Sequence, residues 1–181
     1  MNKHLEHPLV LAFLFLVLMG GCGKCQKDDE LTLVKTPYHG DDIRLDGYYY
    51  LMSSTSNSFN DTYFFYRDGT VLSCRGTPVG ESPFLFMERL LKDPNISNDL
   101  QKYKSGWGVF RIEDNNIAID RWYAQEGILP AGLLEGIVLN DTTFQITSLT
   151  RVKTGEVREK NDLYHFRAFS PKPDSTNVFI P

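Results

Sequence analysis

Between residues 43 and 169 the chain is cut into short runs of alternating apolar and polar residues, each ended by turn formers. Nothing else in the sequence restricts the fold as strongly. Alternation with period two belongs to half-buried antiparallel strands, whose successive side chains point to opposite faces. The first run is Ile43 to Ser53, with tyrosines at 48, 49 and 50. The second and third, Thr62–Tyr66 and Thr70–Arg75, flank Arg67-Asp68-Gly69, and Asp-Gly between such runs is a strong hairpin signal. The fourth and fifth, Trp107–Glu113 and Ile117–Tyr123, meet across Asp114-Asn115-Asn116. Ile117 and Ile119 share one face of the fifth, Ala118 and Asp120 the other. The sixth, Leu134–Leu139, turns at Asn140-Asp141 into the seventh, Thr142–Ser148. After a polar loop over Lys153–Asn161, the eighth sets Tyr164, Phe166 and Ala168 on one face and His165 on the other.

Antiparallel strands joined mostly by tight turns satisfy their edges best by closing. The expected fold is therefore mainly β, an eight-stranded up-and-down barrel enclosing side chains or one small ligand. A two-sheet sandwich is the alternative. In strand rhythm over residues 43–169 this plan resembles the lipocalin-like domains of small Bacteroidota lipoproteins. Leu45-Asp46-Gly47-Tyr48 stands where true lipocalins carry a glycine-x-tryptophan signature.

One interval breaks the rhythm. Ser82-Pro83 followed by FLFMERLLK and then Pro94 predicts an N-cap, a proline in the first helical position and an apolar helix. It makes a helical insertion over about residues 82–103, between the third and fourth strands. Meander loops run to about five residues, and an excursion this long is usually a lid, a plug or a binding element. Phe84, Leu85, Phe86, Met87, Leu90 and Leu91 need cover, so the helix is expected to close one end of the barrel. The tail from Ser170 is expected to pack Val178 to Ile180 against the body.

The first 30 residues carry an address. Pro8 to Met19 is apolar without a charge, follows a basic start and is too short to span a membrane, which needs roughly 20 residues. It leads into Leu18-Met19-Gly20-Gly21-Cys22, which resembles the lipobox of bacterial lipoproteins. That resemblance implies a signal peptide over 1–21 and a diacylglyceryl group on Cys22, with its freed amine acylated, as by palmitate. Met19 stands where an aliphatic such as leucine is commoner. Several acyl chains hold a protein stably where one does so only marginally. Gln26, Lys27, Asp28, Asp29 and Glu30 resemble the acidic export signal of Bacteroidota lipoproteins, which implies display on the outer face of the outer membrane. A charged run is equally what a solvated tether needs, so residues 22–42 are expected to form a lipidated, flexible tether ahead of a single domain over 43–181. Cys22 and Cys25 have metal or redox spacing, but zinc needs further ligands elsewhere. Beyond the leader only Cys74, His39 and His165 are on offer. Cys74 reads as a buried free thiol, with pairing to Cys25 as the alternative.

Cutting before Cys22 removes Lys3 and Glu6, so the formal charge of −4 is unchanged and offers no footprint for nucleic acid. Glycosidase chemistry needs two acids across one cleft, for which Glu113 and Glu135 are the candidates. No nucleophile elbow, phosphate loop or zinc-protease motif is present. Trp107, Trp122, Tyr123 and Tyr48 to Tyr50 are candidate stacking surfaces for a sugar or lipid, though core packing accounts for aromatics in strands equally well. Thr142 and Ser175, each after an aspartate, resemble Bacteroidota O-glycosylation sites. The chain is thus expected to be a lipid-anchored, surface-facing outer-membrane lipoprotein, not an enzyme, with neither cofactor nor metal. It would hold a small apolar or sugar-like ligand in its barrel. The alternative is an envelope protein–protein interaction module with a filled barrel.

Overall fold

The computed structural model describes residues 27–56, 58–75, 81–125 and 127–181. The signal peptide, Cys22, Cys25 and Gln26 lie outside the described residues. Eight strands form a closed barrel in chain order: β1 (Gly47–Met52), β2 (Phe59–Phe65), β3 (Thr70–Cys74), β4 (Trp107–Glu113), β5 (Asn116–Trp122), β6 (Ala131–Asn140), β7 (Thr143–Arg151) and β8 (Val157–Ala168). Each pairs antiparallel with the next, and β8 returns to β1 through Tyr49↔Phe166 and its neighbours. This closure leaves no edge and excludes the two-sheet sandwich. At one end the turns are tight. Gly69 turns at φ +86°, a left-handed conformation that glycine adopts without strain. Asp114 and Asn115 both take positive φ, as a two-residue type I′ hairpin requires. Several boundaries move by three or four residues (β1 begins at Gly47, β2 at Phe59 and β6 at Ala131, and β7 ends at Arg151), and β8 begins at Val157, inside the expected polar loop. Val157, Arg158 and Glu159 pair with Thr150, Leu149 and Ser148, although their side chains are exposed.

The alternation sorts apolar residues into two cores. Tyr49, Tyr63, Phe65, Phe110, Ile117, Ile119, Phe144, Ile146 and Tyr164 fill the barrel interior. A second cluster lies on the outer wall, where Phe64, Leu72 and Trp107 are cross-strand neighbours beside Tyr48 and Trp122. An apolar outer wall needs cover, and three segments supply it. Helix α1 (Pro83–Lys92) buries Met87 and Leu91 there. Its Phe84 ring lies 4.9 Å from Tyr50 and 5.1 Å from Phe59, and Glu88 accepts from the Tyr48 hydroxyl at 3.3 Å. The helix is therefore a wall cover, which corrects the expected lid. Ser82 is its N-cap in backbone conformation but makes no capping bond through its side chain. A short second helix, α2 (Pro94–Leu100), is capped by Asp93, which accepts from the Asn95 amide. In the tail, Phe179 and Ile180 pack on the wall while Val178 is exposed.

The third cover is the N-terminal segment, and here the structure departs from a flexible tether. Asp28 meets Lys104 at 3.0 Å. Asp29 donates its amide to the Leu129 carbonyl and accepts from the Trp122 indole at 2.7 Å and the Ala131 amide at 3.2 Å. Thr32 and the Leu33 amide donate to one oxygen of Asp120, a fully buried carboxylate on the outer face of β5. The segment then reaches the tight-turn end, where the Tyr38 amide donates to the Arg67 carbonyl. Tyr38 and Ile43 enter the interior core, the Tyr38 ring 5.4 Å from Phe110. Residues 27–45 are thus a strap along the wall that plugs the far end.

Candidate functional site

Among the described residues nothing plugs the opposite end of the barrel. A cavity of about 610 Å³ lies there, lined by Asn60 and Asp61 of β2, Ser73 to Arg75, Arg121 and Tyr123, and Lys160, Asp162 and Tyr164 of β8. Leu51, Leu134 and Leu149 supply apolar patches. The insertion contributes through its exit, Leu100, Tyr103, Ser105 and Gly106, and not through α1.

The floor is a buried ion pair. Asp61 stands in phase with Tyr63 and Phe65, so β2 turns it inward; Arg121 stands in phase with Ile117 and Ile119. They meet at 2.8 Å, and both side chains are less than a tenth exposed. Asp61 also accepts from the Ser73 hydroxyl at 2.8 Å, the Tyr63 hydroxyl at 2.9 Å and the Thr62 amide at 3.2 Å, with Arg75 at 3.4 Å. Burial pushes its carboxyl up, but Arg121, Arg75 and these hydrogen bonds outweigh that and hold it below the ordinary value. Glycines stand opposite Arg121 on both neighbouring strands. A Cβ on Gly108 would come within 2.5 Å of the Cβ of Arg121, and one on Gly132 within 2.9 Å of Leu149. At the rim, Lys160 pairs with Asp162 at 3.1 Å, and Arg75 is 64% exposed.

The residues singled out from sequence fall largely elsewhere. Glu113 and Glu135 are exposed on the outer wall, and neither lines the cavity. His39 is exposed, and His165 lies outside the barrel with its ring 6.0 Å from Tyr50. Trp107, Trp122 and Tyr48 belong to the outer-wall core, Tyr49 to the interior core; of the named aromatics Tyr123 alone lines the cavity. Cys74 is a free, buried thiol, pushed up to about 12 by burial. Thr142 sits in the β6–β7 turn with its hydroxyl donating to Asn140, and Ser175 follows an aspartate that accepts from the Thr176 amide. Lys27 and Glu30 are exposed, while Asp28 and Asp29 hold the strap. Among the described residues no cluster of three His, Cys, Asp or Glu could hold a metal ion, and no helix is long and apolar enough to cross a membrane.

The floor pair was missed from sequence, though a signal for it exists. A charge in phase with a run of inward apolar positions either breaks the strand pattern or is paired inside. Comparison of the chain with protein-family models, curated proteins and solved structures returns no match.

Proposed function

We propose that this chain is a lipid-anchored lipoprotein of the outer membrane, facing the cell surface, that holds a small ligand in the open mouth of its barrel. The observation that carries the binding reading is the cavity of about 610 Å³, a volume within the range of small-molecule sites. Its mixture of tyrosine, serine, charge and leucine suits a hydroxylated, sugar-like molecule better than a purely apolar one. The role is binding rather than catalysis. Both acids of the described lining are engaged in ion pairs, Asp61 with Arg121 and Asp162 with Lys160, so neither stands free beside the cavity as an acid–base group. Native mass spectrometry of the full chain purified from its host is expected to show a small-molecule adduct. A bare mass under gentle ionisation argues against the binding reading.

The anchor rests on the leader sequence. Cys22→Ala is expected to abolish lipid labelling and leave an uncleaved or soluble precursor. The acidic export signal needs a more selective test, because Asp28 and Asp29 also hold the strap. Lys27→Ala with Glu30→Ala alters the signal and leaves those contacts in place; protease accessibility on intact cells reads the outcome. Thr142 and Ser175 stand as candidates for O-glycosylation. A second reading, an interaction module, is favoured by one observation: Ile137, Leu139 and Leu163 are exposed on the β6–β8 wall, where Ile137 and Leu163 flank Gln145 across the strands.

A further inference from the structure

At the cavity floor two guanidinium groups share one carboxylate. The oxygens of Asp61 take five donors, from Arg121, Arg75, Ser73, Tyr63 and Thr62, and a carboxylate has about four lone-pair sites. It has no capacity left for a second full pairing. The other acid of the lining, Asp162, is matched by Lys160 at 3.1 Å. Among the described residues one positive charge at the floor therefore lacks an acid of its own, in a chain whose formal charge is −4.

Arg121 sharpens the imbalance. Its side chain is 9% exposed, and its Nη2 donates to Asp61 at 2.8 Å beside the Tyr63 hydroxyl. Asp120 Oδ1 is the one buried side-chain polar atom left without a partner among the described residues. Apart from Asp61 and the neighbouring Tyr63 hydroxyl, no described residue engages the Arg121 guanidinium, and Arg121 lines the cavity. A guanidinium offers paired donors matched to a carboxylate or phosphate. In a recess between protein walls that contact is stronger than at an open surface.

We propose that the cavity takes a small hydroxylated molecule bearing a carboxylate or phosphate, its charge held between Arg75 and Arg121 and its ring and hydroxyls against Tyr103, Tyr123 and Ser105. This names the ligand class for the binding reading above and rests on it. The same chemistry is met free, as a sugar acid or sugar phosphate, or at a membrane, as a lipid headgroup.

The test is calorimetric titration of the full chain in detergent with four soluble probes: glucuronate, glucose 6-phosphate, glycerophosphoglycerol (a lipid headgroup without its chains) and glucose. At least one anionic probe is expected to bind, with glucose at least about tenfold weaker. Arg75→Gln, at an exposed position, is expected to weaken that binding about tenfold or more with unchanged melting, since a charge-assisted hydrogen bond contributes that much. Arg75→Lys should recover part of it. Preference for the sugar anions assigns a soluble ligand, and preference for glycerophosphoglycerol a headgroup. Glucose binding as tightly as glucuronate overturns the proposal, as does an Arg75→Gln protein with undiminished anion affinity; in both cases the cavity still binds. No binding by any probe also overturns it. An adduct in the native spectrum would then leave the binding reading standing, and its absence would remove both.

Discussion

One carboxylate at the floor of the mouth holds two guanidiniums, and removing its charge strands Arg121 in the interior without an acid. Asp61→Asn is expected to destabilise the fold by about 3–5 kcal/mol, the usual cost of breaking a buried pair from one side. Urea unfolding measures it; a loss below about 1 kcal/mol would show that water or Arg75 relieves the charge. The sign of the pH dependence follows from the direction of the shift. The folded carboxyl lies below its ordinary value of 3.8, so its contribution is present above that pH. It is lost as pH falls through 3.8 toward the lower folded value. The Asp61→Asn protein should lack this acid-limb component. The sequence contains half of this site in plain form. Asp61 and Arg121 each break an inward apolar phase, but they stand 60 positions apart, and alternation alone does not pair them.

The elements show what patterning can and cannot place. Strand rhythm found all eight strands because nearly every strand sets apolar residues on its inner face. It missed the start of β8, where Val157 to Asn161 carry exposed side chains and pair with β7 through the backbone. The apolar face of α1 was legible, but which wall it covers depends on contacts with Tyr50 and Phe59, far along the chain. Met87→Ala is expected to cost about 2–5 kcal/mol, as buried Met→Ala changes do. Because α1 lies outside the barrel, ligand held in the mouth should be retained. Loss of ligand from a folded Met87→Ala protein would restore the lid. The strap was illegible for a physical reason: a charged run reads as solvated, and its partners Asp120, Leu129 and Ala131 lie 87 or more positions away. Asp120→Ala removes the acceptor for Thr32 and Leu33 and should expose Lys35 to limited trypsin digestion, while the parent chain resists. Equal resistance would mean that the Asp28 and Asp29 contacts suffice.

At the scale of the whole molecule, burial sets an alkaline optimum. Lys172 donates to the Leu45 and Phe65 carbonyls from the tail, and burial lowers its ammonium to about 8 from 10.5. Between those values the unfolded chain holds the proton more readily, so stability rises with pH. Burial raises the phenols of Tyr48, Tyr49, Tyr63, Tyr66 and Tyr164 above their ordinary 10.0. Above pH 10 the unfolded chain therefore loses protons that the folded chain keeps, and stability falls. Scanning calorimetry is expected to find Tm rising from pH 8 to about 9 and dropping beyond it, as five phenols outweigh one lysine, with Lys172→Met abolishing the rise. A Tm that declines steadily from pH 8 would sink the lysine's part. The strap has a further bearing on how the barrel is moored. Its first anchored residue, Asp28, is tied to Lys104 and Leu129, next to the lining residues Tyr103, Ser105 and Gly106. A lipid on Cys22 would leave only the six links from there to Asp28 as mooring line, about 20 Å even when taut. The barrel would then ride with its mouth toward the bilayer and its plugged end outermost, and whatever enters the cavity would have to come along the membrane surface. Fluorophores at Ala124 and Asp114 make the two ends visible: brominated lipid should quench the first strongly and the second little, and equal quenching would mean that the strap lets go.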